Sequence, residues 1–203
     1  MCPQTTEGRL VPSPSTYVSD VYLVRHAHAD WGPDEDRPLS AQGRMAARRV
    51  AEILAPFPID GIYSSPARRA RETVAPLAES LGLPILVEPD LRERQLGDSS
   101  EADFQRAVEA TWRDPRSAYP GGESNAVAQQ RGVAVVSRLL QHAGAHRVLA
   151  THGNLLALVL QHFDPTVGFP FWQSLTMPDI YRLIVGRSGE AAIDRLWECE
   201  GNR

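Results

Sequence analysis

The densest chemistry in this 203-residue chain lies in Arg25-His26-Ala27-His28-Ala29-Asp30. One reading is metallic. His26, His28 and Asp30 form an H-x-H-x-D run, and in an extended segment residues i and i+2 share a face. Zinc hydrolases use such spacing. A second reading starts from the Arg25-His26 pair, an imidazole nucleophile beside a guanidinium suited to phosphate. A third is two surface histidines in a loop. The segment alone leaves the three open.

Three further pieces carry reactive or anion-binding side chains. Ser64-Ser65-Pro66-Ala67-Arg68-Arg69-Ala70-Arg71 reads as a helix start, where cations are disfavoured by the helix dipole. Arg68 and Arg71 fit a solvated face, whereas Arg69, next to the apolar-face residue Ala70, can lean into a crevice. Leu91-Arg92-Glu93-Arg94 supplies a carboxyl group among cations, and Thr151-His152-Gly153-Asn154 supplies a second histidine at a helix start. Taken singly, these are also what a charged loop or a capped helix looks like.

The elements around them place all four at one address. Val21–Val24 reads as a strand, followed by a helix capped by Ser40 and carrying Met45, Ala46, Val50, Ile53 and Leu54 at helical spacing. Ile59–Tyr63 is a second strand. Ser65 and Pro66 are a cap and a first helical residue for a helix with Ala70, Val74, Leu77 and Leu81, ended by Gly82. Strands over Ile85–Val87 and Arg147–Ala150 and helices over Glu101–Trp112, Val127–Leu140 and Asn154–Phe163 continue the alternation. Ile180–Val185 and Ala192–Trp197 close it as a hairpin. Strands alternating with helices predict an α/β fold with a mostly parallel central sheet. Each reactive piece then falls at or just past the C-terminal end of a strand, where such sheets bind ligands. Two histidines, two arginines and a glutamate converging there describe a phosphate pocket with an acid. His142, His146 and His162, on or beside helices, read as structural or surface residues.

Composition narrows the chemistry further. All 21 basic residues are arginine, so chemistry that needs a lysine, such as a P-loop or a Schiff base, is excluded. The net charge of −4 argues against a nucleic-acid coat. The longest apolar run, Leu155–Leu160, is far short of the ~20 residues of a membrane span, and no secretory signal is evident. Cys2 and Cys199 have no zinc or redox spacing, and a cytoplasmic, disulfide-free protein is the expectation. Residues 1–18, with Pro3, Pro12 and Pro14, read as a flexible tail ahead of a domain over 19–203. The irregular stretch 98–121 reads as a lid insertion, with Phe104, Trp112 and Tyr119 setting specificity.

Together the motifs resemble the histidine phosphatase superfamily, the phosphoglycerate-mutase-like proteins of its branch 1. Arg25-His26-Ala27 matches R-H-[GA], Ser65 to Ala70 matches S-x-x-x-R-A, and Leu91 to Gly97 matches L-x-E-x-x-x-G. Pro120 to Ser124 matches P-G-G-E-S, Thr151-His152-Gly153 matches T-H-G, and Pro38 to Gly43 matches the family's L-[ST]-x-x-G helix start. Ala27, His28 and Gly32 depart from the commoner Gly, Glu or Gln, and Asn. The resemblance implies a three-layer α/β sandwich and a metal-independent phosphatase without cofactor. His26 would be the nucleophile and form phosphohistidine. Arg25, Arg69, His152 and Gly153 would bind the phosphoryl group, and Glu93 would be the general acid and base. The implied partner is a small phosphorylated substrate, with no nucleic acid and no membrane; a homodimer is an open alternative. A phosphohistidine-type phosphoprotein phosphatase and a phosphoglycerate mutase are the alternatives within the family. The short segment after Leu96-Gly97-Asp98 favours a phosphatase over a mutase. A metal hydrolase on His26, His28 and Asp30 and a non-catalytic phospho-ligand module are the alternatives outside it.

Overall fold

The computed structural model describes residues 17–32, 36–99, 103–141, 145–186 and 190–198. Cys2, Glu101, His142, Cys199 and residues 1–16 of the expected tail lie outside these. Six strands form one sheet: β1 (Tyr17–Arg25), β2 (Gly61–Ser64), β3 (Ile85–Val87), β4 (His146–Thr151), β5 (Asp179–Gly186) and β6 (Ala191–Arg195), in the order β3-β2-β4-β1-β5-β6. β1 to β4 are mutually parallel, β5 runs antiparallel to β1, and β5 and β6 form the expected hairpin. β1 takes in Tyr17 and Val18, so the strand reaches into the stretch read as tail. His146 opens β4 and does not sit on a helix; its Nδ1 lies 3.4 Å from the Asp20 carboxylate.

The period of two along the central strands builds the layers. Val21 and Leu23 of β1, with Leu149 of β4, pack against helices α4 (Asn125–Leu140) and α5 (Gly153–Phe163). Tyr22 and Val24, with Val148 and Ala150, pack against α1 (Ala41–Leu54) and α2 (Arg68–Leu81). The result is the three-layer sandwich that the resemblance implied.

Two helix starts matter for the site. Ser40 caps α1, its Oγ accepting from the Gly43 N–H at 3.0 Å. A Cβ on Gly43 would lie 2.0 Å from the His28 carbonyl oxygen, so glycine lets α1 approach the segment after β1. α2 starts at Arg68, two residues later than Ser65-Pro66 predicted, with Ala67 at the cap and no side-chain capping bond. Ser65 Oγ accepts from the Ala67 N–H at 3.3 Å, so the hydroxyl holds the turn ahead of α2 as well as facing the site, and Arg69 becomes the second residue of the helix. α3 (Phe104–Arg113), capped by Asp103, and α6 (Phe169–Ser174) complete the fold. Among the described residues no helix is long and apolar enough to cross a membrane.

Candidate active site

The C-terminal ends of β1, β2 and β4 lie side by side, with Arg25 paired to Thr151 and Ser64 to Ala150 in register. That register brings Arg25, His26, Ser65 and His152 together. Arg69 reaches them from α2, only 3% exposed, whereas Arg68 and Arg71 are exposed as expected.

Hydrogen bonds fix the tautomers of both histidines. His26 Nδ1 lies 2.8 Å from the Ala27 carbonyl oxygen, which only accepts, so Nδ1 carries the proton and donates it there. Nε2 keeps its lone pair and accepts from Arg69 Nε at 3.3 Å. The other end of the same guanidinium donates to His152 Nδ1 at 3.2 Å. His152 therefore carries its proton on Nε2, which donates to Ser65 Oγ at 2.8 Å. The two rings sit edge to face, centroids 5.1 Å apart. Burial pushes the His26 imidazole down to about 3, with Arg69, Arg25 and Arg37 adding to the shift, and burial lowers His152 well below its usual value. Both rings are neutral around neutral pH.

Hydrogen bonds to the backbone hold the turn that carries His26. The His26 N–H donates to the Thr151 carbonyl, and the Ala27 N–H donates to Thr73 Oγ1 at 2.9 Å. Thr73 in turn donates to the Arg69 carbonyl at 2.7 Å, coupling the turn to the helix that carries Arg69. Arg25 NH1 donates to the carbonyls of Leu175 and Thr176, at 2.9 and 3.3 Å. Its buried Nε has no protein partner. Asp179, at 0% exposure, holds that 175–179 turn by accepting from the Thr176 and Ile180 N–H groups and from Arg195.

Glu93 arrives on the loop after β3. Its Oε1 accepts from the N–H groups of Arg94 and Leu155, and its Oε2 from Asn154 N–H at 3.1 Å. It thereby caps α5, whose N-cap His152 supplies no side-chain cap of its own. The loop is clamped by Arg131 of α4, which donates to the carbonyls of Asp90, Arg92 and Glu93 and forms a two-pronged pair with Glu123. Thr151 Oγ1 adds a bond to the Leu91 carbonyl at 2.8 Å.

These groups border a cavity of about 460 Å³ that Arg25, Arg69, Glu93, His152 and Gly153 line. His26, 8% exposed, is not itself part of the lining; it reaches the cavity through Arg69, whose Nε donates to its Nε2. Of the expected specificity residues, Phe104 lines the cavity. Trp112 does not, packing on the core and donating from Nε1 to Asn154 Oδ1 at 3.1 Å, and Tyr119 stands outside the lining as well. The metallic run is dispersed: His26 is buried, Asp30 is exposed, and His28 is exposed with its Nδ1 on Ser40 Oγ at 2.9 Å. Among the described residues no group of three His, Cys, Asp or Glu side chains is arranged to hold a metal ion.

Sequence reasoning missed Ser65 as a partner of His152, Thr73, Arg131, Asp179 and Trp172 of the cavity wall. Ser65 was within reach, because it directly follows β2 at the strand end where the other site residues gather. Arg131 reads as a solvated residue in mid-helix, and nothing in the sequence marks it.

Comparison with known proteins agrees with this fold. The family described as "Histidine phosphatase superfamily (branch 1)" matches residues 21–194. The chain is 36% identical over 110 residues to the "Uncharacterized phosphatase PhoE" of Bacillus subtilis, 51% of this chain and 55% of that protein. It is 30% identical over 169 residues to a "Probable phosphoglycerate mutase GpmB" of Escherichia fergusonii, 75% of this chain and 76% of the other. Among solved structures, a mycobacterial glucosyl-3-phosphoglycerate phosphatase in complex with VO3 superposes with a TM-score of 0.73 at 27% identity, covering 89% of this chain and 99% of that one.

Proposed function

From the premise that this chain belongs to branch 1 of the histidine phosphatase superfamily and is a phosphoric monoester hydrolase, we propose that it cleaves phosphomonoesters of small anionic metabolites through a phosphohistidine on His26. The observation that carries this reading is the pair of bonds on the His26 ring. Nδ1–H is committed to the Ala27 carbonyl, so Nε2 is the nitrogen with a lone pair, and the low proton affinity of the ring keeps that pair available.

In the first step Arg69 moves its Nε–H from His26 Nε2 to an oxygen of the phosphoryl group. Arg25, with its unpaired Nε, takes another, and the helix start at Gly153 faces the same charge. His26 Nε2 attacks phosphorus as the bond to the alcohol oxygen breaks, and a proton from Glu93 goes to that oxygen. In the second step water attacks the phosphohistidine, Glu93 takes the water's proton, and the pair of the broken N–P bond returns to Nε2. Positioning and charge stabilisation supply most of the rate. His152, fixed between Arg69 and Ser65, keeps the guanidinium in place.

His26→Ala should lower turnover by about 10³-fold or more, as removal of a covalent nucleophile does. Rapid quenching with phosphate-labelled substrate should capture an acid-labile, base-stable phosphoenzyme in the native protein and none in the variant. Label retained on His26→Ala would move the nucleophile elsewhere.

A further inference from the structure

The cavity holds more positive charge than one phosphoryl group engages. Arg25, Arg69, Arg92 and Arg94 reach its lining, and Glu93 is the one carboxylate there among the described residues. Arg25 and Arg69 face the phosphoryl group in the reading above. Arg92 is partly exposed and pairs with Asp90 and Glu123. Arg94 differs from all three. It is only 5% exposed, and its Nε and NH1 are shielded from water with no hydrogen-bond partner among the described residues. NH2 reaches Thr111 Oγ1 of α3 at 3.4 Å, longer than the usual range for such a bond.

The nearby carboxylates do not supply the missing partner. Glu93 accepts from three backbone N–H groups, and Glu123 pairs with Arg131 and Arg92. Their charge favours the Arg94 cation, yet burial outweighs them and lowers its pKa. Buried guanidinium donors without partners are unfavourable in a folded chain. Beside a cavity, they suit a group that arrives from outside. The order of the chain says which group. Arg94 directly follows Glu93, the residue that meets the ester oxygen, and both line the same space. Arg94 therefore stands on the side of the leaving alcohol, and turning towards a ligand there sacrifices only the long contact to Thr111.

We propose that Arg94 is a second anion site, so that the substrates are phosphomonoesters whose leaving alcohol carries a further anionic group, a carboxylate or a second phosphate. The inference rests on the hydrolytic reading above. With the phosphoryl group against Arg25 and Arg69 and the second anion on Arg94, the ester oxygen is held near Glu93 from both sides.

The test compares esters of primary alcohols of equal chain length, so that only the far end differs: the phosphate esters of 3-hydroxypropanoate and of 3-hydroxypropanamide, and 1,3-propanediol bisphosphate. The better charged ester should exceed the amide in kcat/KM by about tenfold or more, as a hydrogen bond to a charged group provides. Which charged ester leads distinguishes carboxylate from phosphate. Arg94→Met, which keeps length and apolar burial without charge, should bring the ratio of charged ester to amide close to one; Arg94→Lys should keep part of it. Calorimetry with 3-phosphonopropanoate, 3-phosphonopropanamide and propane-1,3-bisphosphonate reads the site by binding alone. The better charged compound should bind the native protein about tenfold tighter than the amide and lose that advantage in Arg94→Met. Equal treatment of charged and neutral compounds by the native protein, or a preference that survives Arg94→Met, would overturn the site and leave the phosphatase reading standing. An Arg94-dependent binding advantage without turnover of any ester would do the reverse.

Discussion

Glu93 serves two purposes with one carboxyl group. Three backbone N–H groups occupy three of its roughly four lone-pair positions, two on Oε1 and one on Oε2. The position left for a proton is on Oε2. A positioned acid matters most when the leaving oxygen is a poor leaving group. In Glu93→Gln, phosphoenzyme formation from an alkyl phosphate should fall by ~10²–10⁴-fold, the usual range for a general acid. A nitrophenyl ester, which leaves as its own anion, should hardly be slowed in that step. Single-turnover rates and burst amplitudes for both esters separate this step from hydrolysis of the intermediate, which needs Glu93 as a base for either. The glutamine keeps only one accepting oxygen, so helix capping weakens too. Equal losses on the two esters would assign Glu93 to capping alone.

At the scale of elements, the site depends on a close approach between the start of α5 and the end of β1. A Cβ added at Gly153 would stand 3.0 Å from Cζ and Nε of Arg25. Arg25 cannot simply retreat, because the Leu175 and Thr176 carbonyls hold its NH1, and Asp179 and Arg195 hold the turn that presents them. Gly153→Ala should therefore shift the guanidinium by a few tenths of an ångström. Small misplacements of a clamping group are costly in rate, so kcat/KM should fall by about tenfold. Thermal unfolding should change little. A large loss of stability with unaltered kcat/KM in the surviving fraction would show that Gly153 matters to packing and not to Arg25. This contact was not legible in the sequence, where Gly153 appeared as part of a motif and a phosphate-facing helix start. Its conflict with Arg25 follows from the parallel register of β1 and β4.

Across the whole molecule, what the sequence made legible was local. Arg25, His26, Arg69, Glu93 and His152 each sit in a short run at a strand end, and strand ends can be found from apolar spacing. The alternation of strands and helices and the closing hairpin were legible for the same reason. The sheet order was not, because β1 pairs with β4 and β5, more than a hundred residues away. Side chains whose partners depend on that order stayed hidden. Arg131 clamps a loop some forty residues distant, and Trp172 belongs to a six-residue helix too short for a periodic signal. One feature of the assembled site bears on the protein at rest. Arg25 has a buried Nε with no partner, and Arg69 donates to two neutral imidazoles. The folded chain thus holds an unsatisfied Arg25 N–H that water would satisfy in the unfolded chain, and any phosphate that enters relieves it only while the fold persists. By mass action, inorganic phosphate at a hundred times its dissociation constant should add about 2.7 kcal/mol to stability. For a chain of this length that raises the melting temperature by roughly 5–11 °C, measured by calorimetry against chloride at equal ionic strength, with the gain lost in Arg69→Ala. The reaction's own product would then be what keeps the idle enzyme folded, and it would slow turnover wherever phosphate accumulates.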